Sequence, residues 1–241
     1  MRTHCIGSRL ARCERGITAV EFALTMPILL AIGGYGVEIA NLSLAHMRVS
    51  QYALYLADSA SRVGLTAPQA STQLRESDIN DIFVGLYEQS KSMKLTTFGR
   101  VTLSSLEGKS DGTQWLHWQR CVGLKQNAGG VNYDSSYGTI AKTDTNGKSP
   151  SWTNAKNETV SWMGDSNAHI TAPVNGGVMF VEINYDYQPL FGSLYVAKQR
   201  LHYIASYIVR DTRDYTKVYP SSPAAVSDCF TWGAIPPGGR A

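Results

Sequence analysis

Residues 15–42 read RGITAVEFALTMPILLAIGGYGVEIANL, and this stretch decides the fold. Only Glu21 and Glu38 are charged between Arg15 and Arg48, and residues 22–37 carry no charge at all. A helix over residues 17–42 is about 39 Å long, enough to cross a ~30 Å hydrocarbon core with some tilt. In lipid a helix is the one open-chain structure that satisfies its own backbone polar groups. Arg2, Arg9, Arg12 and Arg15 precede the run, with Glu14 the single acid among them. This arm therefore holds the whole net charge of +3, and the remaining chain is balanced. The positive-inside rule keeps residues 1–15 cytoplasmic and sends the rest across.

The location of the charge also excludes functions. No Lys/Arg stripe with interleaved aromatics follows the arm, so no nucleic-acid surface is expected. With 43 % apolar residues and 17 % charged residues, the chain is no disordered polyelectrolyte. Four cysteines in 241 residues are too few for a disulfide-dense scaffold.

Three readings of the apolar run compete. A cleaved secretory signal has a shorter core and no acid near its start. A plain signal anchor explains the length but not Glu21. An ionisable residue at a membrane-embedded position costs up to ~3 kcal/mol and points to function. The third reading gives Glu21 a role. The basic arm ends in Gly16, the apolar run starts at Ile17, and Glu stands fifth in it, followed by Phe22.

This arrangement resembles the processing site of type IVb prepilins and pseudopilins. The longer stretch resembles the TadE-like family of minor pseudopilins of the tight-adherence (Flp) pilus system. That family's pattern R-G-x-x-A-V-E-F-A-L-x-x-P is met by Arg15, Gly16, Ala19, Val20, Glu21, Phe22, Ala23, Leu24 and Pro27. Glu38 closes the apolar run as a family acid does. The resemblance covers about 45 of the 241 residues. Major pilins of the system usually carry Tyr after the Glu; Phe22 fits a minor component.

The resemblance implies cleavage between Gly16 and Ile17 by a prepilin peptidase, and assembly through Glu21 and Phe22. It implies other pilins or pseudopilins, an inner-membrane assembly platform and the lipid bilayer as partners. A residue without a side chain at the scissile bond lets a peptidase approach the backbone closely. Cleavage leaves Ile17 with an α-ammonium, and Glu21 lies one turn on, placed to pair with it on the same chain or a neighbour. The bland alternative for Glu21 is an acid that snorkels to the interface. Pro27 removes a helix hydrogen bond and predicts a kink. Gly33, Gly34 and Gly36 either permit close helix packing or face lipid.

The helix is expected to continue. Val49, Tyr52, Ala53, Leu56, Ala60 and Val63 form an apolar stripe, with Arg48, Gln51, Asp58 and Arg62 opposite. Gly64 and Pro68 stop it. A second helix is expected at 78–91, with Ser77 as N-cap and Ile79, Ile82, Phe83, Leu86 and Tyr87 as its apolar face. Strands are expected at 95–106, 113–121, 178–187 and 200–210. In the last two, Met179, Val181, Ile183, Tyr185 and Tyr187, and Leu201, Tyr203, Ala205, Tyr207 and Val209, share one side. Pro189, Gly192 and Ser193 mark the bend between them.

The expected organisation is a basic leader (1–16), a transmembrane and stem helix (17–64), an α+β periplasmic domain (65–228) and a C-terminal tail (229–241). The sheet should be mostly antiparallel. Residues 122–175 lack periodicity and read as an elaborated insertion or a poorly ordered segment, with Trp152 and Trp162 inside. The tail reads as extended and loose. The expected location is the bacterial inner membrane, single-pass, with the N-terminus cytoplasmic.

On that topology Cys5 and Cys13 stay reduced, and Cys121 and Cys229 are the two cysteines on the oxidising side. A bridge between them would close a loop of about 108 residues. The alternative is two buried free thiols.

Catalytic patterns are weak throughout. Gly147-Lys148-Ser149 has the tail of a phosphate loop, but Lys142 stands where the first Gly belongs. Gly164-Asp165-Ser166 reads as a turn, as does Asp144-Thr145-Asn146-Gly147, which has no acidic twelfth position for calcium. His46, His117, His169 and His202 have no metal-ligand spacing. The chain is therefore read as non-enzymatic, with no catalytic residues, metal ligands or cofactor. The alternative is a single-span periplasmic enzyme or ligand-binding protein whose site lies within 122–175.

Overall fold

A single unbroken helix, α1 (Ile17–Arg62), opens the computed structural model, which describes residues 17–66, 72–137 and 159–236. The chain divides into two units: Met1–Leu44 with Gln188–Lys198, and Ala45–Tyr187 with Gln199–Ala241. The fold is α+β, a long apolar helix followed by a mostly antiparallel sheet.

In the first unit α1 carries its apolar residues exposed on every side, from Val20 to Val37. Pro27 lies inside this half, and the helix continues through it. The Thr25 hydroxyl donates to the Phe22 carbonyl at 3.3 Å and the Ser43 hydroxyl to the Ile39 carbonyl at 2.9 Å. Hydroxyls that bond back to their own helix need no outside partner.

In the second unit the remainder of α1 is part of a core. Ala45, Val49, Ala53, Leu56, Ala57 and Ala60 are buried, at steps of three and four residues. Asp58 and Arg62 pair at 2.7 Å on the opposite, wetter face. The second unit thus begins within α1, at Ala45, and the buried apolar stripe of the helix belongs to it.

Two short strands, β1 (Leu65–Thr66) and β2 (Thr72–Gln73), pair antiparallel. Helix α2 then runs Glu76–Ser90. Its start corrects the expected N-cap: Arg75 is the cap, and Asp78, three residues on, accepts the Arg75 backbone N–H at 2.9 Å. The Ser77 N–H instead donates to the Ser221 hydroxyl at 2.9 Å. The strand expected from residue 95 is also corrected. Lys94 adopts a left-handed conformation (φ 51°) after a 3₁₀ turn (Lys91–Met93), and a four-residue helix, α3 (Leu95–Phe98), follows.

The main sheet comprises β3 (Gly99–Gly108), β4 (Gln114–Val122), β5 (Thr159–Val160), β6 (Gly177–Asp186) and β7 (Arg200–Ile208). Its order is β5-β4-β3-β6-β7, every pair antiparallel. One face presents Val101, Leu103, Val181, Ile183, Tyr203 and Ala205 in register. On that side the Tyr203 hydroxyl meets His46 Nδ1 of α1 at 2.9 Å, and Arg120 of β4 pairs with Glu76 of α2.

The other face is buried as well. Leu106, Leu116, Val178 and Phe180 pack with Met163 and Ala172 from the chain before β6. Part of the region read as an irregular insertion is therefore an ordered cover for the sheet. Residues 138–158, with Trp152 and the Asp144 and Gly147 patterns, lie outside the described residues. Trp162 is within them and stacks on His169, ring centroids 3.8 Å apart.

Candidate functional site

The expected processing residue Gly16 lies outside the described residues, and Ile17 is the first residue of α1. Glu21 and Phe22 are both exposed on the first turns, Phe22 at 60 %. Among the described residues Glu21 has no hydrogen bond or ion pair. The helix around them has an apolar surface in all directions: Leu24, Leu29 and Ile32 are 67, 63 and 65 % exposed. A helix that is apolar all round requires an apolar surrounding, either lipid or other helices. It is also long and apolar enough to cross a membrane.

The second carboxylate of the run, Glu38, is fully buried. It accepts the Leu190 N–H at 3.1 and 3.3 Å on its two oxygens and the Phe191 N–H at 3.1 Å. Those amides belong to the β6–β7 connection, which carries the Gln188–Lys198 part of the first unit. Charge-assisted bonds from backbone N–H groups offset the loss of water around a carboxylate without requiring a cation.

The same loop is fixed by aromatic contacts. Tyr195 meets Tyr35 of α1 edge-on at 6.4 Å and Phe191 at 5.6 Å. A Cβ on Gly34 would lie 2.7 Å from the Tyr195 hydroxyl, so a bare backbone is needed there. Gly33 and Gly36 have open space where a Cβ would be. Of the three clustered glycines, one therefore seats this loop. Gly192 turns the loop with φ 62°. While its backbone and Tyr195 face α1, the loop leaves Leu190, Phe191 and Leu194 exposed, Leu194 at 74 %. In the sequence Glu38 stands only as the acid that closes the apolar run, and the loop only as a bend. The interspersed apolar residues of Pro189-Leu190-Phe191-Gly192-Ser193-Leu194-Tyr195 were the available signal.

In the second unit the candidate chemistry is absorbed by structure. His117 Nε2 is 2.5 Å from Glu107, which Lys109 also meets at 2.7 Å. His202 lies 3.6 Å from Glu182. Gly164 (φ 101°) and Asp165 form a turn closed by the Ala168 N–H to the Asp165 carbonyl. Among the described residues no group of three or more His, Cys, Asp or Glu side chains is placed to hold a metal.

Cys121 and Cys229 form a disulfide, with Cα atoms 4.8 Å apart and a sequence separation of 108. Residues 229–233 are held, in contrast to the loose tail expected. Asp228 accepts the Phe230 and Thr231 N–H groups at 2.9 and 2.8 Å. Arg100, buried beneath them, donates to the carbonyls of Gly123, Cys229 and Thr231 at 2.7–3.0 Å. Burial pulls its guanidinium below the ordinary value, while Asp134 and Asp228 act in the opposite sense.

Comparison with family models, with characterised proteins and with solved structures returns no match.

Proposed function

We propose that the protein is a membrane-anchored, non-catalytic minor pseudopilin that supports assembly of a tight-adherence (Flp) pilus. The observation that carries this reading is the first half of α1. It is apolar and exposed on all sides, its acid Glu21 has no side-chain partner among the described residues, and it continues without a break into an α+β domain. An anchor alone needs the apolar surface but gains nothing from Glu21. Assembly gives it a partner, the α-ammonium of Ile17 on a neighbouring subunit, after a prepilin peptidase cuts behind Gly16. The bilayer holds the subunit before assembly, with the arm cytoplasmic and the α+β domain periplasmic. The inner-membrane platform and other pilins or pseudopilins then take over the apolar surface. Nucleic acid and cofactors have no place in the scheme.

The test has two parts. N-terminal sequencing of protein extracted from membranes of cells with an active prepilin peptidase should begin at Ile17. Glu21→Ala should insert at least as well as wild type, since an intramembrane charge is removed, and should abolish piliation. An intact Met1 terminus together with wild-type piliation in the mutant would overturn the reading.

A further inference from the structure

We propose that the β6–β7 loop is a second membrane contact, inserting Leu190, Phe191 and Leu194 into the headgroup–acyl boundary on the side of the α+β domain. The proposal rests on the anchor reading above and adds a surface to it.

Depth is the first observation. From Ile17 to Glu38 the helix rises about 32 Å. A hydrocarbon core of ~30 Å that starts at Ile17 therefore ends at Glu38. The buried carboxylate and the loop amides that bond it lie at that boundary.

Composition is the second. Tyr35 and Tyr195, in contact at this level, are the residue type that gathers at membrane interfaces. Leu190, Phe191 and Leu194 are 59, 48 and 74 % exposed. On α1, in the same unit, Tyr35 and Val37 are also exposed. The loop ends at Lys198, an exposed cation suited to lipid phosphates.

The bonding pattern is the third. A loop entering an interface must leave few backbone groups without partners. Here the Leu190 and Phe191 N–H groups are satisfied by Glu38, and the Leu194 N–H reaches the Phe191 carbonyl at 3.5 Å. The apolar side chains are then free to face outward. A second copy of the chain is a poorer occupant, because three side chains fall short of the ~800 Å² per partner of a stable interface.

The full chain carrying Cys5→Ser and Cys13→Ser is reconstituted in phosphatidylethanolamine/phosphatidylglycerol vesicles. Single spin labels are placed at Leu194→Cys, Leu29→Cys and Ser110→Cys. Collision with molecular oxygen, which concentrates in lipid, is compared with collision with a water-soluble nickel chelate. The oxygen-to-nickel ratio at 194 should exceed that at 110 several-fold and agree in sense with that at 29. A water-like ratio at 194 with a lipid-like ratio at 29 overturns the loop insertion and leaves the anchor standing. A water-like ratio at 29 overturns both. Low access of both reagents at 194, with spin–spin broadening that dilution with unlabelled protein removes, marks contact with a second copy and overturns the insertion.

Discussion

A carboxylate out of reach of water needs donors in fixed positions, and the chain meets that need in two ways. Glu38 takes backbone N–H groups; Glu76 takes a guanidinium. Arg120 Nε donates to Glu76 Oε2 at 3.0 Å and Arg120 Nη2 to Oε1, with side-chain exposures of 0 and 2 %. The pair joins α2 to β4. Glu76→Gln leaves the Arg120 charge buried with neutral acceptors alone, the Gln119 carbonyl and the new amide oxygen, and should cost ~3–5 kcal/mol. Glu76→Leu with Arg120→Met should recover most of that loss, because the desolvation of both charges is removed together. Urea unfolding in mild detergent, followed by tryptophan fluorescence, measures both, and a single mutant as stable as wild type rejects the account. The buried tyrosines give a pH dependence. Burial first, then the nearby Asp186 charge, pushes the Tyr185 hydroxyl up to about 12, and Tyr133 and Tyr137 are raised to about 12 as well. In the unfolded chain these groups ionise near ~10. Their stabilising contribution is therefore complete below pH 10 and is lost as pH rises through 12. The urea midpoint should fall over that interval, and less steeply in Tyr185→Phe. A midpoint that is flat to pH 12 rejects the assignment.

At the scale of elements, α1 is one helix with two kinds of surface, apolar and exposed through Val37 and packed into a core from Ala45. The stripe Val49–Ala60 was legible, because a 3.6-residue period survives in any amphipathic helix. The strand positions of β6 and β7 were legible for the same reason at period two. Other features were not. Glu182, Asn184 and Thr102, polar residues on the opposite side of the sheet, are only 1–3 % exposed. A second cover of irregular chain, from 123–137 and 159–174, encloses that face with hydrogen bonds. Asn184 donates to the Tyr133 carbonyl at 3.2 Å, and the Ser136 N–H donates to Glu182 at 3.3 Å. Such cover has no period to read. The α2 start was misplaced because Ser77 is a common capping type, whereas the cap is Arg75, whose N–H Asp78 accepts, and the Ser77 N–H is taken by Ser221. The loop that holds Glu38 was invisible for a different reason: its partner lies 152 residues away. The packing of α1 carries its own prediction. A fragment starting at residue 65 lacks six buried side chains of α1, Ala45 to Ala60, and should be expanded and aggregation-prone. A fragment of residues 45–241 retains them and should give a dispersed amide NMR spectrum. Equal dispersion in both fragments would show that the stem contributes nothing to the core.

For the molecule as a whole, the Cys121–Cys229 bond ties the segment around Cys229 covalently to β4. The bond does not act alone. Thr102 Oγ1 lies 3.4 Å from the Cys121 sulfur, the Cys121 N–H donates to the Ser227 carbonyl at 2.8 Å, and the Gly123 N–H to the Gly233 carbonyl at 2.8 Å. Arg100 binds carbonyls on both sides of the bridge and sits 5.7 Å from the Trp232 ring. These contacts order residues 227–233 in the native state, whereas the bond limits the freedom of the unfolded chain over 108 residues. The two effects predict different signatures. Cys121→Ser with Cys229→Ser should lower the free energy of unfolding by ~2–5 kcal/mol while leaving the tail docked, since the polar contacts remain. Arg100→Met should free the tail locally, because the Gly123, Cys229 and Thr231 carbonyls lose their shared donor. Hydrogen exchange separates the two. In the double serine variant the amides of Cys121 and Gly123, which bond to Ser227 and Gly233, should stay protected relative to open loops and exchange by global unfolding. In Arg100→Met the same amides should exchange faster than the core of β6 while the disulfide remains intact by non-reducing mass spectrometry. Loss of tail protection in the serine variant alone would mean that the bridge, and not the guanidinium beneath it, holds residues 227–233 on the sheet.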